Sequence, residues 1–380
     1  MGFLWAFALL LLCTASSPAQ FRRLPAPEPA KTPASESPAP PGPVPAKKPS
    51  GWGTVSGNAE AAPPATGTLP STTNPEPPAP SAEEDFVIRQ DVRLVRVDVQ
   101  VAEKDRVIQG LSRSDFTLLD NGVPTPITDF GTESDPVDLM MLLDVSGSMT
   151  SYLYEVSRAA GLALQQLTPE DRVGVMIFSK NGKLLNELTA SRPDVLTTLR
   201  SLTRLPDMAA GTAINMSIMD AIAAFRTDAA AGKYDPRHRR AILILTDNWG
   251  LNYKMPDRTV LRNLHEENIS LHAIVVGRVQ KPKGKWGAED DDVAEQLDFS
   301  PANVFRLADD TGGDIFTDLK KDSGLAEILG RIRTRYSLYF KPPANATAGS
   351  YRQIQVNLAG EALKANRKAA VRARAGYFTR

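Results

Sequence analysis

Asp144, Ser146 and Ser148 stand at alternate positions of the run Asp144-Val145-Ser146-Gly147-Ser148, directly after the mostly apolar stretch 137–143. One carboxylate and two hydroxyls on a single tight turn are oxygen ligands, and oxygen ligands suit a hard divalent cation. Mg2+ in particular takes near-octahedral oxygens at roughly 2.0–2.1 Å and keeps several waters. The run has no thiol and no imidazole, which excludes soft-metal chemistry there. Gly147 lets the backbone turn without a Cβ in the way. Two other segments supply what such a site lacks. Ala241 to Leu245 is a second apolar run, ending in Thr246-Asp247-Asn248, and Gly211-Thr212-Ala213-Ile214 is a glycine-led turn that opens a helix-like stretch. The candidate metal set is therefore Asp144, Ser146, Ser148, Thr212 and Asp247. Both carboxylates are expected at solvent-facing strand ends.

These residues need a scaffold that brings three distant loops together. Apolar strands are expected at 137–144, 172–179, 184–188, 241–247, 270–277 and 314–317. They alternate with helical patterns at 152–167, 193–202, 215–227, 257–267, 303–311 and 324–335. Strands alternating with helical patterns in this order call for a doubly wound, mostly parallel sheet, an α/β fold. Such sheets bind ligands outside the carboxyl ends of their strands, at the point where strand order reverses. Asp144 and Asp247 both fall at such ends.

On these residues the segment from about 135 to 335 resembles the von Willebrand factor A (VWA) domain with its metal-ion-dependent adhesion site, a module also found in integrins. The resemblance implies a Rossmann-like fold in which the two serines and the threonine ligate Mg2+, with Mn2+ or Ca2+ as alternatives. The aspartates would act largely through water, and an Asp or Glu carboxylate of a protein partner would complete the shell. The sequence departs from the family at Asn248, where a glycine often follows the second aspartate.

The rest of the chain frames this segment. Residues 3–13 are apolar and are followed by Thr14-Ala15-Ser16-Ser17-Pro18-Ala19. That is too short to span a bilayer and reads as a signal peptide over 1–19, with no transmembrane span in the mature chain and a secreted or periplasmic location. Lipidation of Cys13 would want a small residue where Leu12 stands. Residues 20–85 are rich in Pro, Ala, Ser and Thr, a composition that cannot bury enough surface to offset its ordering entropy, so a disordered tether is expected. Its roughly 60 residues would reach on the order of 150–200 Å if extended at ~3.1 Å per residue.

From 86 to 131 the pattern turns to strands: Val95 to Val101 alternates strictly, and Asp120-Asn121-Gly122 marks a turn between two further apolar runs. Residues 336–380 carry three more strand-like stretches. Neither end has enough strands to stand alone, so both are expected to meet in one small β-sandwich-like module that receives the 135–335 domain as an insertion. With Gly110-Leu111, Asp115-Phe116 and the closing stretch from Val371 to Tyr377, this layout resembles bacterial secreted VWFA-related proteins. Arg372 and Arg374 are expected on a solvated edge face.

Composition narrows the function. The 44 basic and 44 acidic residues of the 380-residue chain leave no net charge and no basic stripe, which argues against nucleic acid as a partner. The single cysteine, Cys13, excludes a disulfide within the mature chain. Glu289-Asp290-Asp291-Asp292 lacks the spacing of a calcium loop, and His238, His265 and His272 form no ligand pattern. The expected function is Mg2+-dependent adhesion or protein binding rather than catalysis. The alternative is a metal-dependent phosphatase-like hydrolase with Asp144 as nucleophile, but Ser146 stands where its general acid would be needed. A serine hydrolase would want glycine in place of Asp144.

Overall fold

The computed structural model describes residues 94–379, apart from 105, 133–134, 205–210, 250–254, 278–302 and 320–322. The leader, the tether and the acidic run 289–292 lie outside the described residues. In chain order the elements are β1 (Val95–Glu103), β2 (Arg106–Val107), β3 (Phe116–Asp120), β4 (Val123–Thr125), β5 (Asp129–Gly131), β6 (Val137–Asp144) and α1 (Thr150–Leu164). There follow β7 (Arg172–Phe178), β8 (Gly182–Thr189), α2 (Arg192–Ser201), α3 (Ile214–Ala230), β9 (Arg239–Thr246), α4 (Asp257–Glu266) and β10 (Ile269–Val275). The last are α5 (Val304–Asp310), β11 (Ile315–Phe316), α6 (Gly324–Arg333), β12 (Tyr336–Phe340), β13 (Tyr351–Leu358), α7 (Gly360–Ala365), β14 (Ala370–Arg372) and β15 (Gly376–Phe378).

Six strands form one mixed, mostly parallel sheet in the order β11-β10-β9-β6-β7-β8. Only β8, at the edge, runs antiparallel to its neighbour β7. β6 is buried at every position because helices cover both faces of the sheet. Side chains alternate between those faces with period two. Leu139, Met141 and Leu143 join a core with residues of α1, α2 and α6, whereas Met140 and Leu142 join one with α3, α4 and α5. β9 divides in the same way, Leu243 and Leu245 to one side and Ile242 and Ile244 to the other. Buried on both faces, these strands read in the sequence as continuous apolar runs.

Two small antiparallel sheets complete the structure. One is ordered β14-β1-β12-β5 with β2 beside β1, and the other β15-β13-β3-β4. Strands from before and after the large sheet interleave: β1 pairs with β12 and β14, and β3 with β13. A single apolar core draws on both sheets, including Val97, Val99 and Val101 of β1, Leu118 of β3, Leu338 and Phe340 of β12, and Val356 of β13. Asn121 and Gly122, both at positive φ, make the two-residue turn between β3 and β4.

Buried arginines tie the small sheets and helix ends to the large one. Arg239, at the start of β9, donates to the carbonyls of Ile332 at 3.0 Å and Arg333 at 2.7 Å, at the carboxyl end of α6. Those carbonyls have no partner within their own helix. Arg374 corrects the sequence reading. It is buried, and donates to Asn268 Oδ1 at 2.6 Å, the His265 carbonyl at 3.1 Å and the Gly376 carbonyl at 2.7 Å. β14 ends at Arg372, so strand alternation stops before Arg374, and the bend that follows turns its side chain inward against α4. Arg372 itself stays exposed. The approach there is close: a Cβ on Gly312, which sits at φ +74, would lie 2.4 Å from the Ala373 carbonyl carbon.

Candidate functional site

Asp144 is the last residue of β6, and the short helical turn Gly147–Met149 swings the chain into α1. The Asp144 carboxylate is held from two sides. Ser146 N–H donates to its Oδ1 at 2.9 Å and the Thr246 hydroxyl to its Oδ2 at 2.7 Å. Thr246 closes β9, the neighbour of β6, so its hydroxyl reaches across the sheet end. The next residue, Asp247, accepts the Ser148 hydroxyl at Oδ2 (2.7 Å), and the Ser146 and Ser148 hydroxyl oxygens are 3.3 Å apart. Asp144, Ser146, Ser148 and Asp247 thus converge on one small volume outside β6 and β9.

Thr212 is buried in the turn before α3, at the same end of the sheet. Its place is set by Ala213 N–H, which donates to the Ser179 carbonyl just beyond β7 at 2.7 Å. Among the described residues, the Thr212 hydroxyl makes no hydrogen bond to the other four. Asn248 adopts φ +59, a left-handed conformation that glycine takes readily and asparagine tolerates. Its N–H donates to Thr246 Oγ1 at 3.1 Å, and the following Trp249 N–H donates to Asp247 Oδ1 at 3.0 Å.

The expectation of a solvent-facing Asp144 is overturned: the side chain is 0% exposed. β6 lies in the middle of the sheet with helices on both faces, so its final residue is covered by the loops it was expected to project beyond. Burial raises the Asp144 carboxyl above the usual carboxylate value. The Ser146 N–H, the Thr246 hydroxyl and the Ser146 hydroxyl oppose that rise, and the negative charge of Asp247 adds to it. Among the described residues no lysine, arginine or histidine pairs with either aspartate. Nor do three His, Cys, Asp or Glu side chains gather anywhere among them as a metal cage. An ion at this site would have two carboxylates and three hydroxyls to choose from, an all-oxygen set that fits Mg2+ better than a softer metal.

Sequence reasoning passed over Thr246 and Trp249. The signal for Thr246 was a hydroxyl residue at a strand end directly before the second aspartate. Trp249 carried none beyond its nearness to Asp247.

A second cluster has the composition of a catalytic triad but not its proton arrangement. Ser270 Oγ lies 3.1 Å from His272 Nε2, and His272 Nδ1 lies 3.5 Å from Asp314 Oδ2. However, Nδ1 accepts the Asp314 backbone N–H at 3.1 Å. Burial, with Arg335 close by, lowers the His272 pKa to about 4. The ring is therefore neutral with its proton on Nε2, where it donates to Ser270 Oγ and cannot take that hydroxyl's proton. Asp314 is instead paired with Arg335 at 2.6 Å. The cluster braces β10 against β11 and α6.

Part of this sheet and its loops is similar to a known domain family. Residues 139–250, from within β6 to just past Trp249, match the von Willebrand factor type A domain. BatB from Bacteroides thetaiotaomicron aligns at 18% identity over 52% of this chain and 100% of its own, with a TM-score of 0.35. A von Willebrand factor type A protein from Catenulispora acidiphila aligns at 11% identity over 73% of each chain, with a TM-score of 0.37. Proximal thread matrix protein 1 of the mussel byssus aligns at 15% identity over 53% of this chain and 49% of its own, with a TM-score of 0.40. No curated protein sequence matches the chain. A six-stranded, mostly parallel sheet with Asp144, Thr212 and Asp247 at one end is thus the setting of the match between residues 139–250 and the von Willebrand factor type A domain.

Proposed function

We propose that the protein is a Mg2+-dependent adhesion or protein-binding module that docks a partner's Asp or Glu carboxylate at the end of β6 and β9. The observation that carries this reading is the convergence of Asp144 and Asp247, linked through the Ser146 backbone N–H and the Ser146 and Ser148 hydroxyls, with no basic side chain among the described residues to balance them. Two like charges so placed repel each other, and a divalent cation is the partner that would neutralise both. Ser146, Ser148 and Thr212 would hold it through their hydroxyls, while Asp247, which accepts the Ser148 hydroxyl, and Asp144 would supply the charge. Bound Mg2+ supplies a Lewis-acidic docking point for a carboxylate. Mn2+ and Ca2+ are the alternative ions.

The module works by binding, not catalysis. The enzyme alternative, phosphoryl transfer to Asp144, fits less well, since both oxygens of a fully buried Asp144 already accept hydrogen bonds. We also propose export by the 1–19 leader to a secreted or periplasmic location, where residues 20–85 would act as a tether.

The test is metal-dependent melting. Ligand bound only by the folded state adds about 2.7 kcal/mol at a hundredfold excess over its dissociation constant. Mg2+ should therefore raise the Tm over that in chelator, and an immobilised Asp-containing peptide should retain the protein in Mg2+ while its Asn twin does not. Equal melting with and without Mg2+ would refute the metal site. Phosphatase activity that disappears with Asp144→Asn would favour the enzyme.

A further inference from the structure

The rim of this site is chemically lopsided along the sheet. On the β9 side, two residues beyond Asp247, Trp249 is 62% exposed, with its backbone fixed by the N–H that binds Asp247 Oδ1 at 3.0 Å. An exposed indole held beside a polar site exposes apolar surface at a cost that a partner would relieve. On the β7 side, Lys180 follows Ser179, whose carbonyl accepts the Ala213 N–H and so fixes the loop beside Thr212. Lys180 is exposed and has no ion pair among the described residues, and Lys183, exposed at the start of β8, extends the basic character of that flank. β6 lies between β9 and β7.

We infer that the partner segment is an extended acidic peptide of fixed polarity, with an apolar side chain against Trp249, the docking carboxylate at the metal set, and a second acidic side chain toward Lys180. This rests on the metal reading above and specifies the partner. Charge argues for it. One divalent cation cancels Asp144 and Asp247, so Lys180 and Lys183 are what attract further negative charge, and among the described residues they lie on the β7 side. Geometry sets the spacing. Neighbouring strands are about 4.8 Å apart, so the β9 and β7 ends are separated by about 10 Å, and an extended chain at about 3.3 Å per residue covers that in about three residues. The apolar and second acidic positions therefore flank the docking residue at one or two residues' distance.

The experiment uses the full chain in Mg2+ and three labelled peptides read by fluorescence anisotropy: Leu-Gly-Asp-Gly-Glu, Ser-Gly-Asp-Gly-Glu and Leu-Gly-Asp-Gly-Lys, with the reversed order of each included because chain direction is free. The first should bind about fivefold tighter than either of the others, the scale of one exposed ion pair or one small apolar contact. Trp249→Ala should erase the preference for Leu over Ser and keep that for Glu over Lys. Lys180→Glu should invert the latter and keep the former. Tm with and without Mg2+ is measured alongside. A wild type that responds to Mg2+ but binds all peptides equally, or none, overturns the polarised rim and leaves the metal reading standing. A wild type with no Mg2+ response overturns the metal reading and this inference with it.

Discussion

Asp144 carries a charge in a place where burial penalises it, and this has a consequence for stability that can be measured without any partner. Its folded-state pKa lies above the ordinary carboxylate value because of desolvation, so the folded protein holds that proton more tightly than the unfolded chain does. Stability of the metal-free protein should therefore fall as pH rises from the usual carboxylate range through the raised value, and the cost persists at neutral pH. In chelator at pH 7–8, Asp144→Asn should melt at or above wild type, with the gap closing as pH falls toward about 4. In Mg2+ the order should reverse, since only wild type gains from the ion. An equal Mg2+ shift in both proteins would place the ion elsewhere. His272 and His265 have the opposite linkage. Burial lowers them to about 4 and about 3, below the unfolded value of 6.5. Their contribution is complete above pH 6.5 and is lost as pH falls toward about 4, because the unfolded chain takes up the protons first. Thermal melts from pH 7 to 5 should show this loss, and the His272 imidazole resonances should not titrate in that interval. A His272 midpoint near 6.5 would refute its neutral, Nε2-protonated state.

At the scale of elements, the decisive contacts are those by which a short bend between β14 and β15 grips α4. Arg374 satisfies the His265 carbonyl near the end of α4 and the Asn268 side chain beyond it, while Arg372, two residues earlier, stays exposed with a 3.5 Å pair to Asp309. Removing a buried, multiply bonded guanidinium strands its acceptors, whereas removing an exposed one costs little. Arg374→Ala should lose about 2–4 kcal/mol in urea denaturation, and Arg372→Ala no more than about 1 kcal/mol. Equal losses would show that the buried network contributes nothing special. Gly313 makes the same region intolerant of side chains, for a Cβ there would meet the Leu271 carbonyl within van der Waals overlap. Gly313→Ala should destabilise by about 3 kcal/mol or more, read from the shift in urea midpoint.

For the whole molecule, the pairing of β1 with β12 and β14, and of β3 with β13, means that the small sheets close only after the chain has passed through the large one. Arg239 then joins the large sheet to the end of α6 immediately before β12. The small sheets and the large sheet should therefore unfold together. Far-UV circular dichroism and near-UV absorbance should trace one coincident urea transition. Two separated transitions would show that the buried arginines do not couple the parts. Ending the chain at residue 335 should leave β1 without β12 and β14, and β3 without β13, and expose the Val97, Val99 and Leu118 face, which a hydrophobic dye would report.

The sequence by itself determined the α/β alternation, because strands buried on both faces are mostly apolar and so appear as near-continuous runs such as Leu139 to Leu143. Its residue types and spacing also brought forward Asp144, Ser146, Ser148 and Asp247, which the structure gathers at one end of the sheet, because each lies at or just beyond the end of a legible strand. Tertiary structure decided the rest. Burial depends on which strand lies in the middle, and strand order is a long-range pairing that no local pattern contains; Asp144 was therefore read as solvent-facing and proved wholly enclosed. The inward turn of Arg374 likewise depends on where β14 stops, which alternation in Val371 to Arg374 could not show. Thr246 became the second clamp on Asp144 only because β9 pairs beside β6 in register, bringing together two side chains 102 residues apart. Local chemistry is written in residue types and spacing, whereas proximity across a sheet is set by the register of pairing, and that exists only in the folded chain.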